Sequence, residues 1–230
     1  KTILLDVGEK SEVEKKEAWQ EKVTTSNAKR SLIPYLKSRG VAKIDQLVLT
    51  NSETKQLDHV LEISKTFVIG EILVTEETLS KQEFMDELKQ SKVNVRAVQR
   101  GEKLFVFGSH LEVIATQDKD KKDSIAMYGK LLHQTFLITG NIEENSLTIY
   151  DPKLQADVLI THQPSSKKNS DVEVFKTLQH KMTVMSVDKK KRFKVINQED
   201  KEVENAIYKT DKKGAIRFKG WSSWKLETVR

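Results

Sequence analysis

The sequence predicts a mixed α/β fold in which two sheets are sandwiched by helices. Short apolar runs alternate with helical patterns up to Val98, which is typical of βαβ crossovers. Four short apolar runs with brief turns then follow over residues 104–138 and predict an antiparallel meander. A second series of strands and helices occupies the rest of the 230-residue chain. Two sheets with helices outside them accommodate all three patterns.

The first half supplies its elements in a clear order. Residues 1–8 are predicted to form a strand that ends in a turn, and residues 27–40 a helix that stops at Gly40. A buried strand over residues 47–49 breaks at Thr50 into a polar segment that reaches His59. The later elements are a short helix around residues 60–63, a strand over 67–74, a helix over 80–90 with Ser80 and Glu83 as a capping box, and a strand over 93–98.

The second half is richer in strands. The meander comprises residues 104–107, 111–115, 124–128 and 135–138. A buried strand at 156–161 leads into another polar loop that begins with His162. The remaining elements are a helix over 171–179, a strand over 182–187, a helix over 197–205 and closing strands around 206–208, 215–218 and 224–226.

Composition and charge narrow the class of protein. Hydrophobic residues make up 37% and charged residues 32%, which suits a globular chain. No apolar run is long enough to cross a bilayer and no signal peptide is present, so we expect the chain as given to be soluble. The absence of cysteine excludes disulfides and thiolate metal sites. Residues 181–230 hold 14 Lys or Arg against 7 Asp or Glu, which suits either contact with phosphates or a solvated face.

Several familiar chemistries have no motif here. Neither glycine-rich nucleotide fingerprint occurs, and the G-x-S-x-G serine hydrolase elbow is absent. Two histidines, His59 and His162, lie in polar loops at the ends of predicted buried strands. The others are expected at surface positions, in hairpin turns or at a helix end: His110, His133 and His180. No histidine pair has the spacing of metal ligands.

The order of several segments resembles a known family. These segments are Asp6-Val7-Gly8, the helix of residues 32–40, the strand and polar loop around Thr50, residues 136–143, residues 156–159 and residues 207–218. Together they resemble the metallo-β-lactamase-like C-terminal domain of ComEC-type competence DNA-uptake channels. The helix of residues 33–40 and a closing hairpin over residues 208–218 are most similar to streptococcal members.

The resemblance implies a fold and a setting. It implies a four-layer αββα sandwich formed by one domain over residues 1–230, with the family's first strand missing from this chain. It also implies a piece of a larger membrane protein, placed on the extracytoplasmic face of the cell membrane. The implied partners are DNA, expected to be single-stranded, the transmembrane channel part of the same polypeptide and other competence proteins.

The family's metal ligands are not matched in this sequence. The family motif Thr-His-x-(Asp or His)-x-Asp-His aligns from Thr50, so its ligand positions fall on Asn51, Glu53, Lys55 and Gln56. A later bridging aspartate falls on Asn141, and a histidine pair falls on Gln163 and Pro164. Only Glu53 keeps a carboxylate. We therefore expect no catalytic residues and no metal cofactor.

Three functions remain open after the resemblance. The first is a degenerate domain that binds or guides DNA or supports channel assembly, with phosphate contacts from Lys189, Lys190, Lys191, Arg192, Lys212 and Lys213. The second is a manganese- or zinc-dependent nuclease that degrades the strand not taken up, through an atypical site of Glu53, Asp58, His59 and His162. The third is a structural domain that contacts other channel parts and never touches DNA.

Overall fold

The computed structural model describes residues 1–8, 26–117, 123–131, 133–140, 154–162, 179–187, 206–220 and 224–229. They belong to two compact units, residues 1–98 and residues 99–230. Each unit contains β-structure, and the first also contains helices packed on its sheet, so the mixed α/β class predicted from the sequence is confirmed. Within the described part of the chain no helix is long and apolar enough to span a membrane.

The first unit is a four-stranded parallel sheet in the order β1-β2-β3-β4. Its strands are β1 (Ile3–Leu5), β2 (Lys43–Val48), β3 (Val68–Val74) and β4 (Val95–Ala97). Its helices are α1 (Ile33–Ser38), α2 (Leu57–Ser64), α3 (Glu76–Ser80) and α4 (Gln82–Lys89). A π-helical turn (Ala28–Leu32) precedes α1, and a 3₁₀ turn (Thr54–Gln56) precedes α2. The predicted βαβ crossovers are therefore confirmed.

Helix α1 begins and ends for the reasons that the sequence suggested. Pro34 lies in the first turn of α1, which continues directly from the π-helical turn. Gly40 has φ of 69°, a conformation that favours glycine and stops the helix. Ile33 and Leu36 are buried in a core that also contains Leu47 of β2 and Ile63 of α2.

The capping box predicted at Ser80 is wrong. Thr75 caps the preceding helix instead, because its hydroxyl accepts a hydrogen bond from the Thr78 amide at 3.1 Å. Ser80 is the last residue of α3, and its hydroxyl donates to the Glu77 carbonyl at 2.7 Å. The helix predicted over residues 80–90 corresponds to α4, which begins after Lys81 in an extended conformation, and α3 is a separate helix that the sequence did not predict.

The second unit has a seven-stranded mixed sheet in the order β11-β10-β9-β8-β7-β6-β5. Strands β5 to β8 pair antiparallel, which confirms the predicted meander, whereas β8, β9, β10 and β11 are parallel neighbours. The strands are β5 (Lys103–Val106), β6 (Ser109–Gln117), β7 (Asp123–Leu131), β8 (Gln134–Ile138), β9 (Gln155–His162), β10 (Gln179–Ser186) and β11 (Ala206–Lys209).

The predicted closing hairpin over residues 208–218 is wrong in its pairing. Strand β11 pairs in parallel with β10 and is followed by a short helix, α5 (Thr210–Lys213). The antiparallel hairpin is formed by β12 (Ala215–Gly220) and β13 (Trp224–Val229). Ile216 and Phe218 pack against a cluster that contains Phe136 of β8, whose ring meets that of Phe218 edge to face at 5.3 Å.

Some predicted elements lie outside the described residues. The helix over 197–205 belongs to them, as does most of the helix over 171–179. The last residue of the latter, Gln179, is the first residue of β10 and not helical.

Candidate functional site

The polar segment after β2 begins with a hydrogen-bonded pair of side chains. The carboxylate of Asp6 accepts from the Thr50 amide at 2.8 Å and from the Thr50 hydroxyl at 2.7 Å. Thr50 is buried, and Asp6 has φ of 54°, which aspartate tolerates better than most residues. These two bonds join the end of β1 to the end of β2, so the carboxylate of Asp6 holds the two strand ends together.

Asn51 closes the next turn of the segment. Its side-chain oxygen accepts from the Glu53 amide at 3.0 Å and from the Gln56 side-chain nitrogen at 2.8 Å. Both amide side chains are buried, and the buried Gln56 Oε1 has no hydrogen-bond partner. Asn51 and Gln56, which the resemblance aligns with two ligand positions of that family, therefore bind each other. Ser52 in the same turn accepts a hydrogen bond from the Lys81 ammonium at 2.5 Å.

His59 does not lie in a loop, as the sequence suggested, but in helix α2, where it is fully buried. Its Nδ1 donates to the carbonyl oxygens of Gly8 at 2.9 Å and Val7 at 3.2 Å. Both partners are carbonyls, so Nδ1 carries the hydrogen. In the neutral ring Nε2 is then an acceptor, and this buried atom has no hydrogen-bond partner. The imidazole thus ties α2 to the end of β1.

The donors described in this segment do not fit a two-metal hydrolytic centre. Such a centre needs several imidazole or carboxylate ligands that converge on the ions. The Asp6 oxygens and the Asn51 oxygen are engaged, and His59 and Gln56 each offer only one neutral atom. Asp58 is exposed, and as the neighbour of His59 along a helix it faces a different direction. Among the described residues no group of three or more His, Asp or Glu could hold a metal ion.

The second unit has its own polar strand ends. Thr139 follows β8 and is fully buried; its hydroxyl donates to the hydroxyl of Thr161 on β9 at 3.1 Å. Gly140 follows with φ of 54°. His162, predicted in a loop, is the last residue of β9. The predicted positions Asn141, Gln163 and Pro164 lie outside the described residues, and of Lys55 only the backbone, in the 3₁₀ turn, is described.

The remaining histidines occupy the second unit. His133 has φ of 64° in the turn between β7 and β8, as predicted. His110 lies in β6, beside the turn where it was predicted. The prediction for His180 is wrong: it is buried in β10, where its Nε2 and the Thr183 hydroxyl are 2.8 Å apart.

A basic surface covers the end of the second unit. Lys212 and Lys213 of α5 are exposed, and the outward face of the β12–β13 hairpin carries further cations. We call the two together the basic hairpin face; its residues are Lys212, Lys213, Arg217, Lys219, Lys225 and Glu227. The predicted contacts Lys189, Lys190, Lys191 and Arg192 lie outside the described residues.

One carboxylate sits among these cations. Glu227 stands opposite Arg217 and accepts a hydrogen bond from it, and its second partner is the Lys219 ammonium at 3.0 Å. Arg217 first and Lys219 second lower the pKa of Glu227 to about 2. Lys219 and Lys225 face each other directly across the two strands. Like charges directly opposite each other destabilise a pair of strands.

Sequence reasoning missed the contacts that organise the first unit. The sequence predicted Asp6 only as part of a turn and His59 only as a loop residue. A signal for His59 exists, since it precedes Ile63 by four positions and Leu57, Val60 and Ile63 form the buried stripe of α2. The pairing of Asp6 with Thr50 has no local signal, because 44 residues separate them.

Comparison with known proteins gives one sequence relative. No family model matches the chain. ComE operon protein 3 of Bacillus subtilis (strain 168) is 22% identical over 218 residues. The match covers 88% of this chain and 28% of that protein, so the chain spans little more than a quarter of the length of its relative.

Solved structures give the fold. The metallo-β-lactamase fold protein YhfI from Bacillus subtilis superposes with a TM-score of 0.52 and 12% identity, over 80% of this chain and 72% of that chain. A diphosphatase from the PhnP family has a TM-score of 0.45 and 17% identity, over 66% of this chain and 63% of its own. The likeness to YhfI supports the metallo-β-lactamase fold that the sequence predicted.

Proposed function

We propose that this chain, a ComEC-like domain with a metallo-β-lactamase fold, acts in competence DNA uptake by holding DNA and not by metal-dependent hydrolysis. The proposal also places the chain at the extracytoplasmic face of the cell membrane. Its partners there would be a transmembrane channel part and other competence proteins. The proposal concerns this chain, which matches 28% of the length of the relative.

The hydrogen bond between Gln56 and Asn51 carries the non-catalytic part of the proposal. Both residues align with ligand positions of the family. The Gln56 side-chain nitrogen donates to the Asn51 side-chain oxygen at 2.8 Å, and both side chains are buried. A metal ion there would have to break this bond and would gain only neutral amide oxygens. Hard divalent ions in hydrolases are held by charged or imidazole ligands, which supply the affinity that the amides lack.

Metal analysis and a nuclease assay test this part. The purified chain should contain far less than one equivalent of manganese or zinc per chain. It should not cleave single- or double-stranded DNA with either metal, and EDTA should change nothing. Stoichiometric metal together with EDTA-sensitive cleavage would refute the proposal and support the nuclease. Glu53→Gln and His59→Gln would then show whether the atypical site carries that activity.

The basic hairpin face carries the DNA part. The five cations exceed the carboxylates of Glu227 and of Asp211 in α5 by three charges, and the exposed ones are Lys212, Lys213, Lys219 and Lys225. Phosphate contacts by Lys or Arg release counterions, so each one adds about 0.7 to the slope of log affinity against log salt for single-stranded DNA. These four lysines are the described residues that we assign to phosphate contact, and they extend the prediction made for Lys212 and Lys213.

A salt titration with a single-stranded oligonucleotide tests the assignment. Changing Lys212, Lys213, Lys219 and Lys225 to Gln should weaken binding and reduce the salt slope by about 2–3. The matched control changes four exposed lysines of the first unit to Gln, namely Lys37, Lys65, Lys89 and Lys92, and should leave the slope unaltered. Equal slopes for both variants would refute the assignment. No binding by the unmodified chain would leave the structural role as the function.

A further inference from the structure

The turn between β5 and β6 presents two exposed phenylalanines. Phe105 is 61% exposed and Phe107 is 82% exposed, the highest value among the large exposed hydrophobic residues that the structure describes. Strand β5 is the edge of the seven-stranded sheet, so no further strand of that sheet covers it. We call residues 105–109 the aromatic tip. Side chains of this size are normally buried, and a pair at one tip indicates a contact surface.

The backbone of the aromatic tip is unfavourable for the residue that it carries. Val106 pairs with Ser109, so Phe107 and Gly108 form a two-residue turn with φ of 43° and 75°. Positive φ at both positions defines a type I′ turn, in which Asn or Gly is favoured at the first position. A phenylalanine there is strained and exposed, and neither feature helps folding. Strain of this kind is characteristic of binding sites.

The aromatic tip itself is uncharged, and charged side chains lie beside it. Residues 104–109 contain no ionisable side chain. Behind them, Lys103 forms an ion pair with Glu112 at 3.8 Å, and the two charges cancel. Lys130 of β7 is exposed and lies opposite His110, which in turn lies opposite Phe105. Lys130 thus lies two strands away in the same cross-strand row as Phe105, and Phe107 in the turn lies beyond that row.

We propose that the aromatic tip docks into the interfacial layer of a lipid membrane. Phenylalanine rings partition into the boundary between headgroups and acyl chains, while a cation set behind them meets the lipid phosphates. Single-stranded DNA would also stack on aromatic rings, but it needs a positive groove along its backbone. The aromatic tip is uncharged, and among the described residues beside it only Lys130 is an exposed lysine without an ion-pair partner, so a lipid membrane is favoured over single-stranded DNA. Docking of the aromatic tip requires neither DNA binding nor a metal.

A fluorophore placed at the aromatic tip tests the proposal directly. The chain has no cysteine, so Ser109→Cys provides one labelling site and leaves both phenylalanines in place. Addition of phosphatidylglycerol–phosphatidylethanolamine vesicles should shift the emission of an environment-sensitive dye to the blue, and lipids brominated on the acyl chain should quench it. The same dye at Val68→Cys, an exposed apolar site in the first unit, should not respond.

Substitutions within the labelled chain identify the groups responsible. Phe105→Ser with Phe107→Ser should weaken vesicle binding at least about tenfold, because burial of one phenylalanine side chain alone is worth more than that. Lys130→Gln should weaken binding to anionic vesicles about fivefold and leave binding to phosphatidylcholine vesicles unchanged. Lys92→Gln, an exposed lysine of the first unit, is the control. Thermal unfolding verifies that each variant is folded.

Three outcomes would overturn lipid docking. The first is no spectral response to vesicles of either composition. The second is a response that persists in the double phenylalanine variant. The third is a response to oligothymidylate in the absence of vesicles that the double variant loses, since this result would assign the aromatic tip to base stacking.

Discussion

Removing the hydroxyl of Thr50 should destabilise the first unit by a defined amount. Thr50→Val keeps the shape of the side chain but deletes the 2.7 Å hydrogen bond to the Asp6 carboxylate. The bond is charge-assisted and Thr50 is only 2% exposed, so water does not replace the lost donor. Hydrogen bonds to charged groups contribute about 1.5–3 kcal/mol, and we expect the free energy of unfolding to fall by this amount.

Urea unfolding measures the change, with a second threonine as the control. Thr66 is exposed and its hydroxyl donates to the Glu62 carbonyl at 3.2 Å, so Thr66→Val should change the free energy by less than about 0.5 kcal/mol. Asp6→Asn completes a double-mutant cycle, because asparagine tolerates the positive φ at this position. The coupling between Thr50→Val and Asp6→Asn should be at least about 1 kcal/mol.

Two results would contradict this reasoning. If Thr50→Val costs no more than Thr66→Val, the carboxylate does not hold the strand ends together. If the effects of Thr50→Val and Asp6→Asn are additive, the two side chains stabilise the unit independently, whatever their distance.

Three further predictions concern the second unit. Phe107→Asn should raise the free energy of unfolding by about 0.5–1 kcal/mol, because asparagine suits the left-handed turn; an unchanged urea midpoint would contradict the strain. Gly129→Ala should lower it by at least about 2 kcal/mol, since a Cβ atom would lie 2.1 Å from the His110 carbonyl oxygen, and a normal midpoint would contradict the close approach. The pKa of Glu227 is lowered to about 2, chiefly by Arg217, so the stabilisation that the ionised carboxylate provides is complete above pH 4.5 and is lost as the pH falls toward 2. The melting temperature of Glu227→Gln should therefore approach that of the unmodified chain as the pH falls over this range. A difference in melting temperature that stays constant with pH would contradict the pairing.

The sequence was sufficient for the parts of the fold that depend on local patterns. The apolar run before Thr50 marked the end of β2, and Gly40 marked the end of α1, because strand burial and positive φ leave signatures within a few residues. The meander was predictable for the same reason. Neighbouring antiparallel strands can be joined by brief turns, and the sequence contains such turns between its short apolar runs.

The predictions that were wrong concern features that depend on a choice between two similar residues or on contacts between distant parts of the chain. Ser80 and Thr75 can both cap a helix, and only the conformation of the chain decided between them. The parallel pairing of β11 with β10 joins segments whose patterns say nothing about their partner. In the candidate site, the alignment located Asn51 and Gln56, but their bond to each other depends on side-chain geometry that the sequence does not encode in any local signal.

The bond between Asn51 and Gln56 also makes this loop resistant to stepwise change. Replacement of either amide by a metal-ligating histidine would break the buried pair at a cost of about 1–3 kcal/mol. A metal ion compensates for such a loss only when several ligands are in place together. We therefore expect each single histidine substitution at these two positions to be less stable than the present chain, so the hydrogen bond opposes the stepwise introduction of metal ligands here.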